Sequence, residues 1–142
     1  MADQTSVILE RANSALIARD FTYAEKILLN LMRQNEDSID VLSLLGAVYL
    51  RSDNLEKALS VFKKLSAIVP GDVEILNNLG IIYRRLERFE ESIAALKEAR
   101  STGKDFDTVL YNLGNTYKQM GRYDDAARCF TGGTEAFYMS EQ

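Results

Sequence analysis

The side chains best suited to recognition in this sequence are amides and cations set at a regular interval. Asn78 and Asn112 stand 34 residues apart, with Asn77 and Asn115 close by. A carboxamide donates and accepts at once, so a ladder of asparagines can bond both backbone groups of an extended peptide. Tyr111 widens that polar strip, and Arg84, Arg85 and Lys118 could hold a carboxylate. A plainer reading stands beside this one. Arg51, Arg84, Arg85 and Lys118 fall where helices should end, and Asp40 and Glu74 where they should begin. The helix macrodipole favours that arrangement with no ligand present. The asparagines lean toward ligand contact, because asparagine is a mediocre helix former with little else to offer there.

Catalytic chemistry finds almost nothing to work with. The chain has no histidine and one cysteine, Cys129. Nucleophile pairs that need histidine, histidine general bases and Cys/His zinc sites are therefore excluded. Cys129 reads as a small apolar residue of the last helix, and alone it makes no internal disulfide, which suits a reducing compartment. The acid pairs Glu90-Glu91 and Asp124-Asp125 could suggest acid catalysis or a metal. They open two helices at equivalent places, so a solvated, dipole-favoured helix start accounts for them. The expectation is a protein that is not an enzyme, with no cofactor and no metal.

The elements that would position these side chains follow from composition and period. Of 142 residues, 46% are apolar and 27% charged, with one proline and no tryptophan, which allows a core and favours helix. A net charge of −4 argues against non-specific nucleic-acid binding, which needs a basic footprint. MADQTSVILE lacks the pattern of a signal peptide, and no apolar run is long enough to span a membrane. The expected location is cytoplasmic.

Gly46, Gly80 and Gly114 recur at 34 residues in one setting: Leu45-Gly46-x-x-Tyr49, Leu79-Gly80-x-x-Tyr83 and Leu113-Gly114-x-x-Tyr117. Such a period marks a repeat array. Extending the register gives units at 5–38, 39–72, 73–106 and 107–140 of a single domain spanning 5–140, with Ala12 in the glycine place of the first. Each unit should be two amphipathic helices, with turns at Asp53-Asn54, Glu87-Arg88 and Gly121-Arg122 and an N-cap at Asp72. Glycine, with Ala58 or Ser92 opposite, should remove bulk where the two helices approach. The tyrosines, Phe62, Leu96 and Phe130 should fill the space between hairpins. The first unit is atypical, since Arg11 and Ala15 replace an apolar residue and the tyrosine; Arg11 reads as capping chemistry. The last holds Gly132-Gly133 within its final helix and is followed by no obvious capping helix to cover Phe137, Tyr138 and Met139.

The set Leu42, Leu45, Gly46, Tyr49, Ala58, Phe62 and Pro70, and its counterparts one and two units on, resembles the tetratricopeptide repeat pattern, with Leu42 where tryptophan is frequent. The resemblance implies an all-α, right-handed solenoid of about four stacked hairpins whose first helices line a concave groove. Asn77, Asn78, Arg84, Arg85, Tyr111, Asn112, Asn115 and Lys118 would lie in that groove. Asn78 and Asn112 would stack as its ladder. The implied function is an adaptor that binds a protein or peptide segment, with an acidic partner favoured. The alternative is a scaffold that self-assembles through its terminal helices, the C-terminal helix meeting another copy. One specialised use is excluded. Co-chaperones of this family clamp a C-terminal carboxylate with lysine, asparagine and arginine across three units. In this chain those places hold Leu9, Asn13, Leu44, Glu74 and Asn78, or Ser43, Ala47, Asn78, Thr108 and Asn112 one unit later. Neither set carries the clamp's charge.

Overall fold

Leucine, alanine and isoleucine at helical spacing form helices wherever a polar cap can start them and a left-handed residue can stop them. The computed structural model describes residues 4–35 and 37–131. Among these are eight helices: α1 (Gln4–Ile17), α2 (Phe21–Gln34), α3 (Ile39–Arg51), α4 (Leu55–Ile68), α5 (Val73–Arg85), α6 (Phe89–Ser101), α7 (Phe106–Gln119) and α8 (Tyr123–Phe130). They group into two compact units, 1–70 and 71–142. The first seven are three to four turns long, as expected. α8 has only eight described residues, and Gly132-Gly133, Phe137, Tyr138 and Met139 lie outside the described residues.

Each hairpin closes in the same way. The odd-numbered helices end in a residue with positive φ: Arg19 (62°), Asp53 (64°), Glu87 (61°) and Gly121 (79°), again at 34-residue spacing. At all four, the amide of that residue bonds three residues back and the next amide bonds five back. Glu87 N to Arg84 O at 2.9 Å and Arg88 N to Tyr83 O at 2.7 Å are one pair. This is the Schellman arrangement, which satisfies carbonyls the helix end leaves orphaned. Only Gly121 has the residue that adopts this backbone freely; Arg19, Asp53 and Glu87 hold it against the cost of a Cβ.

Three helix starts use side-chain caps, while Asn54 before α4 and Asp105 before α7 make no such bond. Asp20 Oδ1 accepts from Tyr23 N, Ser38 Oγ from Val41 N, and Asp72 Oδ1 from Ile75 N at 3.0 Å, the last as expected from its position. At α6 and α8 a salt bridge takes that place. Arg88 grips Glu91 with two bonds of 2.7 and 2.9 Å while its guanidinium lies 5.1 Å from the Tyr83 ring centroid. Arg122 repeats this with Asp125 at 2.9 Å and Tyr117 at 4.8 Å. The second acid of each pair, Glu91 and Asp125, thus pairs with an arginine, and among the described residues no group of three or more ligand-type side chains could hold a metal.

In unit 1, Leu28, Leu42, Leu45, Val41, Val48 and Leu65 are buried between α1–α2 and α3–α4, while Arg11 is exposed on α1. In unit 2, α6 packs against both α5 and α7. Ile93 and Leu96 pack with Leu113, Tyr117, Ala126 and Cys129, and Ala99 packs with Leu76 and Val109. The glycines do admit close approach, and a larger side chain fills the space in front of each. A methyl built on Gly46 would meet the Phe62 ring at 2.8 Å, on Gly80 Leu96 Cγ and, at 2.5 Å, Cδ2, and on Gly114 the Phe130 ring at 2.6 Å. Phe62, Leu96 and Phe130 are thus neighbours of the glycine in their own hairpin. Ser92 instead touches the backbone, its Oγ donating to Gly80 O at 2.7 Å.

Candidate peptide-binding groove

The residues expected from the sequence to line a groove fall wholly in unit 2, on α5 and α7, which pack against each other along one side of α6. Asn77, Asn78, Arg84 and Arg85 come from α5; Tyr111, Asn112, Asn115 and Lys118 come from α7. The amide ladder forms, but one residue away from its expected rung. Asn112 Nδ2 donates to Asn77 Oδ1 at 2.8 Å, not to Asn78. Asn112 is only 6% exposed, so its amide holds Asn77 in place rather than facing solvent. Asn78 and Asn115 are half-buried, and among the described residues no hydrogen bond engages either side chain.

Beneath Asn112 lies a buried hydroxyl pair that joins three helices. Thr116 Oγ1 donates to Asn112 O at 3.0 Å, and Ser92 Oγ stands 3.0 Å from Thr116 Oγ1 while donating to Gly80 O. The three contacts share two protons, so one of them is always short of a hydrogen. The sequence carries a trace of this layer: Ser92 stands where other units have Ala58 and Ala126, and Thr116 where they have Val48 and Ile82.

The cations occupy the last turns of their helices, Arg84 and Arg85 on α5 and Lys118 on α7, where the dipole favours them. Arg85 and Lys118 are exposed and Arg84 is half-buried. Arg84 Nε is buried and has no hydrogen-bond partner among the described residues. Burial lowers the Arg84 guanidinium from its ordinary value, the Tyr111 phenol opposes this, and Arg85 adds to it. A buried donor without an acceptor is uncommon and invites an anion or a carbonyl. Tyr111 is 60% exposed, its ring 6.1 Å from that of Phe130.

Comparison with known proteins bears on the repeats and the fold. The tetratricopeptide repeat family model matches residues 37–105 and 73–137, which together take in most of the chain. The chain belongs to the tetratricopeptide repeat family. No curated protein matches it significantly. Among solved structures, MamA MSR-1 aligns with a TM-score of 0.80 at 22% identity, covering 99% of this chain and 79% of that one. MamA 41-end from Desulfovibrio magneticus RS-1 aligns at 0.82 and 21% identity, over 87% and 70%. At that identity the likeness is one of fold, the helical solenoid class. This tetratricopeptide repeat domain is a protein-interaction module. No helix among its described residues is long and apolar enough to cross a membrane.

Proposed function

We propose that the module is an adaptor whose α5–α7 groove holds a segment of a partner protein. Asn78 and Asn115 present amides to the segment's backbone, with Asn77 held at the correct angle by Asn112. The observation that carries this reading is the contrast among the amides: Asn112 is used inside the protein, while its neighbours on the same surface are left with donors and acceptors to offer. Arg84, Arg85 and Lys118 favour an acidic segment, since one end of the groove gathers three cations in a chain of net charge −4. The absence of histidine and the lack of a catalytic constellation support a role without catalysis. The single buried thiol of Cys129, which makes no disulfide, supports a cytoplasmic setting.

The test is a pull-down with the full chain, followed by the Asn78→Ala/Asn115→Ala variant on each protein captured. Loss of capture with an unchanged circular dichroism spectrum is expected. Unchanged capture would place binding elsewhere. A second reading, self-assembly through the terminal helices, draws on Tyr123 and Phe130 of α8, which are 68% and 46% exposed. Sedimentation equilibrium separates the two, since a monomer at every accessible concentration excludes self-assembly.

A further inference from the structure

Phe130 occupies the place on α8 that Phe62 has on α4 and Leu96 on α6. Phe62 and Leu96 are buried, yet Phe130 remains half open to water. Tyr111, which stands where α5 has Asn77, is more open still. Their rings approach to 6.1 Å at 54°, a tilted aromatic pair. Two large aromatic side chains touching each other in solvent form an apolar ledge, and such surfaces tend to be contact sites. The ledge adjoins the polar strip, because Tyr111 precedes Asn112 on α7.

Resting on the groove reading above, we propose that the occupant is an acidic peptide with a large apolar side chain a few residues from a carboxylate. The apolar side chain lies on Tyr111 and Phe130. The carboxylate pairs with the half-buried Arg84 guanidinium, whose Nε has no acceptor among the described residues. Charge complementarity selects this occupant, since Arg84, Arg85 and Lys118 close the last turns of the two helices that carry the strip and Tyr111. Arginine and aromatic side chains together are also the commonest anchors of protein interfaces.

The experiment selects phage-displayed random dodecapeptides on the full chain and measures synthetic versions of the selected peptides by fluorescence anisotropy. The expected consensus pairs Asp or Glu with Phe, Tyr, Trp or Leu within about four residues, the span an extended segment needs to cross one groove. Changing the peptide acid to its amide should weaken binding at least tenfold on the native chain and leave it unchanged on Arg84→Gln. Changing the apolar residue to alanine should weaken binding likewise on the native chain and have no effect on Tyr111→Asn. That variant installs the residue α5 already carries at the equivalent place, so folding is preserved, and Phe130→Leu provides a second check. Peptides that bind the Tyr111→Asn and Phe130→Leu variants as tightly as the native chain would overturn the ledge while sparing the groove, provided Asn78→Ala/Asn115→Ala still abolishes binding. Peptides indifferent to the asparagines would overturn the groove as well. A Phe130→Leu variant that changes sedimentation but not peptide affinity would assign the ledge to a second copy, and a selection that enriches no acidic apolar peptide would overturn the proposal outright.

Discussion

Alanine in place of Gly80 should destabilise the protein while alanine in place of Gly114 is tolerated, although both glycines lie in the middle of equivalent helices. Alanine in place of glycine ordinarily strengthens a helix by about 1 kcal/mol. At Gly80 the new methyl would meet Leu96 Cγ and Cδ2. Leu96 is fully buried and Cγ is its branch point, so relief requires α5 and α6 to part. Overpacking of this kind costs about 1–3 kcal/mol, and the depth of overlap puts Gly80→Ala at the upper end. After the helix gain, the net loss should be about 2 kcal/mol. At Gly114 the methyl would meet Phe130 Cε1 at 2.6 Å, but that ring is 46% exposed and can turn outward. Gains and losses there should nearly cancel, leaving Gly114→Ala within about 0.5 kcal/mol of the parent, the range of a tolerated substitution. Urea denaturation followed by circular dichroism at 222 nm measures both. In the double variant Gly80→Ala/Leu96→Ala, the alanine at 80 should cost less than it does alone, a favourable coupling in a mutant cycle. A Gly80→Ala midpoint at or above the parent's, or a larger loss at 114 than at 80, would refute the reasoning.

Glu87→Gly should stabilise by about 0.5–1 kcal/mol by removing a Cβ from a left-handed residue, and Gly121→Ala should lose a similar amount; thermal melts of the two check this. Ser92→Ala should cost no more than about 1 kcal/mol despite full burial, because Thr116 keeps its bond to Asn112 O and only the Ser92 donation to Gly80 O is lost; a loss above about 2 kcal/mol in urea would mean that removing Ser92 leaves a buried polar group unsatisfied. Burial raises Cys129 above its ordinary 9.0 and Tyr49 and Tyr117 above 10.0, so the folded chain resists deprotonation more than the unfolded one. Stability should therefore be full below about pH 9 and fall as pH rises through the folded values, and Tyr117→Phe/Cys129→Ala should flatten that fall in urea titrations at about pH 7.5 and 10.5.

Much of the fold is legible in spacing, because the glycine–leucine–tyrosine set depends on a helix face repeating every hairpin. The helix ends are less so. Gly121 announces its left-handed backbone, but Arg19, Asp53 and Glu87 do not; their own amide bonds to Leu16, Leu50 and Arg84, with those of the next residues to Ala15, Tyr49 and Tyr83, hold them there, and no residue type encodes that. The amide ladder lies one residue from its expected rung for a related reason. Asn77 and Asn78 are adjacent, and which of them reaches Asn112 depends on the lateral offset of α5 against α7, not on chain distance. Phe130 is legible as a packing residue by its register with Phe62 and Leu96; its exposure is not, since exposure depends on what surrounds it.

The four hairpin turns have a further consequence for the angular phase of the chain. In each, three residues separate the helices: Ala18–Asp20, Ser52–Asn54, Leu86–Arg88 and Met120–Arg122. One residue of helix corresponds to a rotation of about 100°. Adding or deleting a single turn residue would thus swing the following helix by more than a quarter turn, carrying Phe62, Leu96 or Phe130 away from its glycine. The turn acts as an indexing pin. It leaves surface residues free to vary from hairpin to hairpin while fixing which face of every second helix looks back at the first.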